Sequence, residues 1–122
     1  MSEKLTPSLD NLTARLIAFR DARDWRQFHS LKNLIASLNL EAAEVLELTQ
    51  WKTDEQFEAE VATDKGKARL AEECADVLLY LLLISERAGI DLADAARSKI
   101  DQNEAKYPIE KSKGSATKYT DL

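Results

Sequence analysis

The sequence predicts an all-α protein whose main part is a bundle of four helices. Helix breakers are scarce, since the 122 residues include only three glycines and two prolines. Apolar residues recur three or four positions apart, which places them on one face of a helix. There is no internal repeat and no low-complexity segment. The length predicts one domain over residues 1–122, with an irregular tail over 109–122.

Two helices are predicted in the first half of the chain. Ser8 or Asp10 can cap the first, which runs to about Arg23. A short connection follows, and a long second helix is predicted over roughly 27–51. The apolar positions of these two helices are Leu9, Leu12, Leu16 and Phe19, then Phe28, Leu31, Leu34, Ile35, Leu38, Val45 and Leu48.

The second half carries two more predicted helices. Residues 52–65 are polar and are interpreted as a loop with room for one short helix. The third helix runs from about 67 to 88, and Gly89 suits the position just past its end. Asp91 can cap a fourth helix over about 92–106, which Pro108 prevents from continuing.

Charge and cysteine content limit the possible partners and compartments. The net charge is −5 and the isoelectric point is about 4.9, so no basic surface is available for DNA or RNA polymers. A free nucleotide remains possible, because a few lysines and a metal ion would suffice. The single cysteine, Cys74, rules out an intramolecular disulfide and indicates a reducing cytoplasm. We interpret Cys74 as a small core residue.

The longest apolar run, residues 77–84, indicates burial rather than membrane insertion. It is far shorter than the ~20 residues that cross a bilayer. The N-terminal residues 1–7 also lack the apolar stretch of a signal peptide. Because the run is apolar on all sides, we expect it to be covered within the bundle or by another subunit, so that oligomerisation completes the core.

Two acidic doublets lie on the stripes that should face inward. Glu41 and Glu44 are three residues apart on the second helix, and Glu73 and Asp76 have the same spacing on the third. Carboxylates on a core-facing stripe are costly unless something neutralises them. Four converging carboxylates therefore indicate a cation, and oxygen-only ligands favour a hard one such as Mg²⁺.

The competing interpretation is that each doublet belongs to a solvated helix face. Acid pairs at this spacing are common in a chain with 22 acidic residues, so either doublet alone is weak evidence. Two doublets on two inward stripes favour the metal site. A ferritin-like di-iron site would need Glu-x-x-His motifs, and the only histidine, His29, is not in that spacing. Zinc is disfavoured because histidine and cysteine ligands are too few.

Aromatic residues flank the second helix and could stack on a nucleobase. They could equally be core or interface residues. Tyr80 lies one turn after Asp76 on the same stripe, and Lys99 and Asn103 share a face of the fourth helix. The other candidates at the ends of the second helix are Trp25, Phe28, His29 and Trp51.

At these residues the chain resembles the all-α nucleoside triphosphate pyrophosphatases of the MazG-like superfamily, which carry an E-x-x-E doublet followed by an E-x-x-D doublet. The finer resemblance is to the dCTP pyrophosphatase branch and covers nearly the whole chain from about Leu12. The matching strings are RDW with QFH (23–25, 27–29), QWKT (50–53), EE through DVL (72–78), SKID (98–101), Asn103, KYP (106–108), GSA (114–116) and KYTDL (118–122).

The resemblance implies a Mg²⁺-dependent hydrolase, with Mn²⁺ as a possible substitute, that splits a nucleoside triphosphate between its α and β phosphates. It also implies a homodimer or homotetramer. The catalytic and metal-binding residues would be Glu41, Glu44, Glu73 and Asp76. The nucleoside pocket would be formed by Trp25, Phe28, His29, Trp51 and Tyr80, while Lys99 and Asn103 would reach the phosphates or the sugar.

We therefore predict a cytoplasmic pyrophosphohydrolase that converts dCTP, or a modified dCTP, to the monophosphate and pyrophosphate. Its role would be sanitation of the nucleotide pool. Two alternatives remain open. The same fold could act on dUTP or on several non-standard triphosphates. A helical module could also bind a nucleotide without hydrolysing it, although the four acids favour an enzyme.

Overall fold

The computed structural model describes residues 8–121, and these contain helices and no strand. The all-α prediction is therefore confirmed. The α-helices are α1 (Leu9–Ala22), α2 (Leu31–Glu47), α3 (Asp54–Val61), α4 (Asp64–Ala88), α5 (Leu92–Lys106) and α6 (Ile109–Ser112). Short 3₁₀ helices occupy Arg26–Phe28 and Tyr119–Asp121.

Side-chain caps determine where five of these helices begin. The Ser8 hydroxyl accepts from the Asn11 backbone N–H, as one of the two predicted caps for α1 requires. Asp91 caps α5 by accepting from the Asp94 N–H, again as predicted. The caps of the intervening helices are Ser30 for α2, Thr53 for α3 and Thr63 for α4.

Those intervening caps explain where the predicted helix limits were wrong. Ser30 starts α2 four residues later than about 27, and the helix ends at Glu47 rather than near 51. A capping box between Thr53 and Gln56 starts α3, the one short helix for which the predicted loop left room. Thr63 starts α4 at Asp64, ahead of the predicted 67. One helical turn, α6, lies where an irregular tail was expected.

Two compact units make up the chain, one ending at Gly89 and the other beginning at Ile90. Gly89 itself terminates α4 in the left-handed conformation, with φ of 69°, where a residue with a Cβ would be strained. In the first unit α4 packs against α1, α2 and α3. The second unit carries α5 and α6. That the whole chain acts as one domain stays a prediction.

The apolar core of the first unit is small. Among the described residues the buried apolar side chains are Leu34 on α2 and Leu82 and Leu83 on α4. The other six residues of the 77–84 run are only half-buried. Cys74, expected in the core, is exposed, as is Ala71 one turn earlier on the same side of α4. No helix among the described residues has the length and apolar character to cross a membrane.

Candidate functional site

The four predicted acids come together between α2 and α4. Glu41 and Glu44 project from α2, and Glu73 and Asp76 from α4. One carboxylate oxygen from each residue lies within 4.8 Å of the others. We call these four residues the acidic cluster. The i,i+3 spacing of each doublet explains the geometry, because it puts both acids of a helix on the face that meets the other helix.

Two members of the acidic cluster are poorly solvated. Glu41 and Glu73 are half-buried, and each has a buried Oε2 with no hydrogen-bond partner among the described residues. Burial raises the pKa of Glu41, and the nearby Glu44, Asp76 and Glu73 carboxylates raise it further. Burial likewise raises the pKa of Glu73, with Glu44, Asp76 and Glu72 adding to it. No basic side chain in the described part of the chain forms an ion pair with any of the four carboxylates, so their mutual repulsion has no counter-charge there.

This donor set fits a hard divalent cation. All four ligands are carboxylate oxygens, the type that Mg²⁺ and Mn²⁺ accept. Because their oxygens lie within 4.8 Å of one another, the four residues Glu41, Glu44, Glu73 and Asp76 could hold one such ion together. The unpartnered Oε2 atoms of Glu41 and Glu73 are the groups that such an ion would satisfy. No nitrogen or sulfur ligand lies in the acidic cluster, which disfavours zinc.

An aromatic cavity of about 220 Å³ opens beside the acidic cluster. Glu41 and Asp76 line one side of it, so the cavity and the cluster share a boundary. Phe19 and Trp25 meet edge to face, with ring centroids 5.6 Å apart. The remaining lining residues are Leu16, Arg20, His29, Leu79, Tyr80 and Leu83.

A second, polar cavity of about 510 Å³ lies against the other two acids, Glu44 and Glu73. Lys52 and Arg69 also line it. The Lys52 ammonium pairs with Glu60, whereas Arg69 makes no hydrogen bond or ion pair with any described residue. The acidic cluster thus separates an aromatic compartment from a polar one that contains cationic side chains.

Three of the predicted pocket residues, Trp25, His29 and Tyr80, line the aromatic cavity. Phe28, the last residue of the 3₁₀ helix Arg26–Phe28, does not line it and is 63% exposed. Trp51 is 98% exposed and also lies outside the cavity. Lys99 and Asn103 lie on α5 in the second unit, so their part in the site stays a prediction.

Sequence reasoning missed Arg20, the most buried charged residue among those described. It is 4% exposed and lines the aromatic cavity. Its Nη1 donates to Glu86 Oε2 and its Nε donates to Asp21 Oδ1, each at 2.9 Å. These two carboxylates outweigh the effect of burial and raise the pKa of Arg20. The sequence did contain one indication that Arg20 is buried, because it lies four residues after Leu16 on the apolar stripe of α1.

Comparison with known proteins gives consistent results. The sequence model of the MazG-like family matches residues 36–122. The chain is 42% identical to dCTP pyrophosphatase 1 of Mus musculus over 116 residues, which is 95% of this chain and 68% of the mouse protein. It is 39% identical to dCTP pyrophosphatase 1 of Homo sapiens, with the same two coverages.

A solved structure has the same fold. The crystal structure of a pyrophosphatase from Archaeoglobus fulgidus matches with a TM-score of 0.76 and 38% sequence identity. The match covers 88% of this chain and 99% of the archaeal chain. The predicted all-α fold of the MazG-like type is confirmed by this match.

Proposed function

Because this chain belongs to the MazG-like family, we propose that it hydrolyses dCTP to dCMP and pyrophosphate with the help of Mg²⁺. The observation that carries the proposal is the convergence of the acidic cluster, with oxygens within 4.8 Å, beside an aromatic cavity. The identity of 39–42% to dCTP pyrophosphatases over 95% of the chain supports this choice of reaction and base.

The two cavities suggest how the substrate lies. Aromatic faces accept a base by stacking, so the base occupies the cavity that contains Trp25 and Tyr80. The triphosphate passes over the acidic cluster and places its outer phosphates in the polar cavity. There Arg69, which pairs with no residue in the described range, and the ammonium of Lys52 offer positive charge to the leaving pyrophosphate.

The acidic cluster would hold Mg²⁺ through Glu41, Glu44, Glu73 and Asp76. When bound, this ion supplies positive charge that offsets the charge developing on the phosphate oxygens. Attack of water on the α phosphorus forms one P–O bond and breaks the bond to the bridging oxygen, which leaves with pyrophosphate. A carboxylate oxygen of the cluster accepts the proton of the attacking water. Lys99 and Asn103 are proposed to contact the phosphates or sugar.

Pyrophosphate release from dCTP, dUTP, dTTP, dATP and dGTP tests the proposed reaction. We expect dCTP to have the highest kcat/KM, because a site that hydrogen-bonds one base rejects those that leave its polar groups unpaired. Chelation with EDTA should stop release, and Mg²⁺ or Mn²⁺ should restore it. Equal turnover of all five substrates would contradict the assignment of cytosine and would indicate an enzyme that hydrolyses many nucleoside triphosphates. Nucleotide binding without any release would indicate a non-catalytic module.

We also propose that the protein works as a homodimer or homotetramer. Few apolar side chains are buried within the first unit, and large ones such as Ile35 and Leu46 are more than half exposed. Trp51 is almost fully exposed and has a φ of 64°, a conformation that costs a residue with a Cβ about 1 kcal/mol or more. A neighbouring subunit that covers Trp51 would account for the exposure of this large side chain within one chain.

Light scattering coupled to gel filtration measures this directly. We expect a mass of two or four times 13.7 kDa at micromolar concentration. Trp51→Ala should then lower activity on every dNTP by a similar factor, because a residue outside the aromatic cavity cannot distinguish one base from another there. A stable 13.7 kDa monomer would contradict the proposed assembly.

A further inference from the structure

Arg20 has more hydrogen-bonding capacity than its ion pairs use. Its Nε and Nη2 both lie 2.9 Å from Asp21 Oδ1, and its Nη1 donates to Glu86 Oε2. A guanidinium has five N–H donors in a rigid fork, so each terminal nitrogen keeps one further N–H. The side chain is 4% exposed and lines the aromatic cavity. Contacts with these two partly exposed carboxylates therefore hold in place a buried donor group that is not saturated.

His29 lines the same cavity and offers the opposite hydrogen-bonding character. Its Nδ1 is buried and has no partner among the described residues. Burial lowers the pKa of His29, and the positive charges of Arg20 and Arg87 lower it further. The ring is therefore neutral at physiological pH, and a neutral imidazole has one nitrogen with a free lone pair. A buried polar atom without a partner is costly and indicates a group that a ligand satisfies, and with the ring proton on Nε2 this atom is an acceptor.

We propose that Arg20 and His29 read the hydrogen-bonding edge of the base and make the aromatic cavity selective for cytosine over uracil and thymine. Arg20 donates to the N3 and O2 acceptors of cytosine. His29 accepts from the 4-amino group. Uracil and thymine present N3–H to the arginine donors and O4 to the histidine lone pair, so both contacts become repulsive. This inference rests on the proposed dCTP hydrolysis and names the residues that select the base.

The alternative role for Arg20 is a structural tie between α1 and α4 through Glu86. A tie would affect the stability and the turnover of every substrate alike. Base reading would change the ratio of kcat/KM for dCTP to that for dUTP, which differ only at C4 and N3. The ratio therefore separates the two roles.

The decisive variants are Arg20→Lys, which keeps the charge but loses the fork, and His29→Leu, which removes the acceptor. We expect each to lower the dCTP/dUTP ratio of kcat/KM by about tenfold or more. His29→Asn places an amide oxygen near the position of Nδ1 and should recover part of the ratio. Arg87→Lys is the matched control: Arg87 does not line the cavity, and its ratio should stay that of the wild type.

An analogue gives an answer even if Arg20→Lys fails to fold. The 3-deaza analogue of dCTP lacks the N3 acceptor, so the wild-type protein should hydrolyse it at least about tenfold less efficiently than dCTP. Arg20→Lys should hydrolyse the two with similar efficiency. An unchanged dCTP/dUTP ratio in Arg20→Lys and His29→Leu, or equal use of dCTP and the analogue by wild type, would overturn the inference. Wild-type protein that does not hydrolyse dCTP would instead overturn the proposed function itself.

Discussion

Glu41→Gln and Asp76→Asn are each expected to lower kcat on dCTP by about a thousandfold or more. Both changes keep the size of the side chain and remove a negative charge from the acidic cluster, where the oxygens lie within 4.8 Å. Loss of one carboxylate weakens metal binding and the stabilisation of charge that develops in phosphoryl transfer. The measurement is steady-state release of pyrophosphate at saturating Mg²⁺, with circular dichroism to confirm that the helices remain.

Glu72→Gln is the matched control for these variants. Glu72 precedes Glu73 on α4, but it is exposed and lies outside the acidic cluster. The same chemical change there should alter kcat by less than about threefold, because water and salt screen the charge of an exposed carboxylate that holds no metal. Near-normal turnover in both Glu41→Gln and Asp76→Asn would show that the cluster is not the metal site of the reaction.

The helices and the acidic cluster were predictable because both depend on local spacing. The α5 limits, the Gly89 terminus and the Ser8 and Asp91 caps follow from residues within one helical turn. The two doublets face each other because α2 and α4 pack with their apolar stripes against each other. To predict which acids meet, one therefore needs only the helical period and the assumption that the two apolar stripes pack against each other.

The features that sequence reasoning missed depend on contacts between distant parts of the chain. Arg20 meets Glu86 across 66 positions of sequence, and no local pattern indicates that pairing. After Glu47, α2 gives way to turns that lead to Trp51, whose backbone is left-handed although tryptophan has no preference for that conformation. The Ser30 hydroxyl accepts from the Asn33 backbone N–H, and this cap starts α2 at Leu31. A serine within an apolar pattern is easily interpreted as a helical residue instead.

Metal binding should have a large effect on stability that can be measured without substrate. An ion that binds only the folded protein adds about 2.7 kcal/mol to the free energy of unfolding at a concentration a hundred times its dissociation constant. For a chain of 122 residues this raises Tm by roughly 10 °C. We expect this rise with Mn²⁺ or Mg²⁺ in wild type and Glu72→Gln, measured by calorimetry at constant ionic strength. Glu41→Gln should lose most of it.

The metal-free protein should show the same cluster through its pH dependence. Burial and neighbouring carboxylates raise the pKa values of Glu41 and Glu73 above the ordinary 4.5. The folded chain therefore binds these protons more tightly than the unfolded chain. Their stabilisation is complete below about pH 4.5 and is lost as the pH rises through the raised pKa values. We expect the Tm of wild type to fall relative to that of Glu41→Gln between pH 5 and pH 8 in EDTA.

The two measurements check each other because they concern the same four carboxylates. The repulsion that destabilises the metal-free protein at pH 8 is the repulsion that a divalent ion removes. Glu41→Gln should therefore be at least as stable as wild type in EDTA at pH 8 and less stable than wild type in excess Mn²⁺. If Mn²⁺ raises the Tm of Glu41→Gln and wild type equally, the ion binds elsewhere. In that case the poorly solvated carboxylates of α2 and α4 would need a different partner.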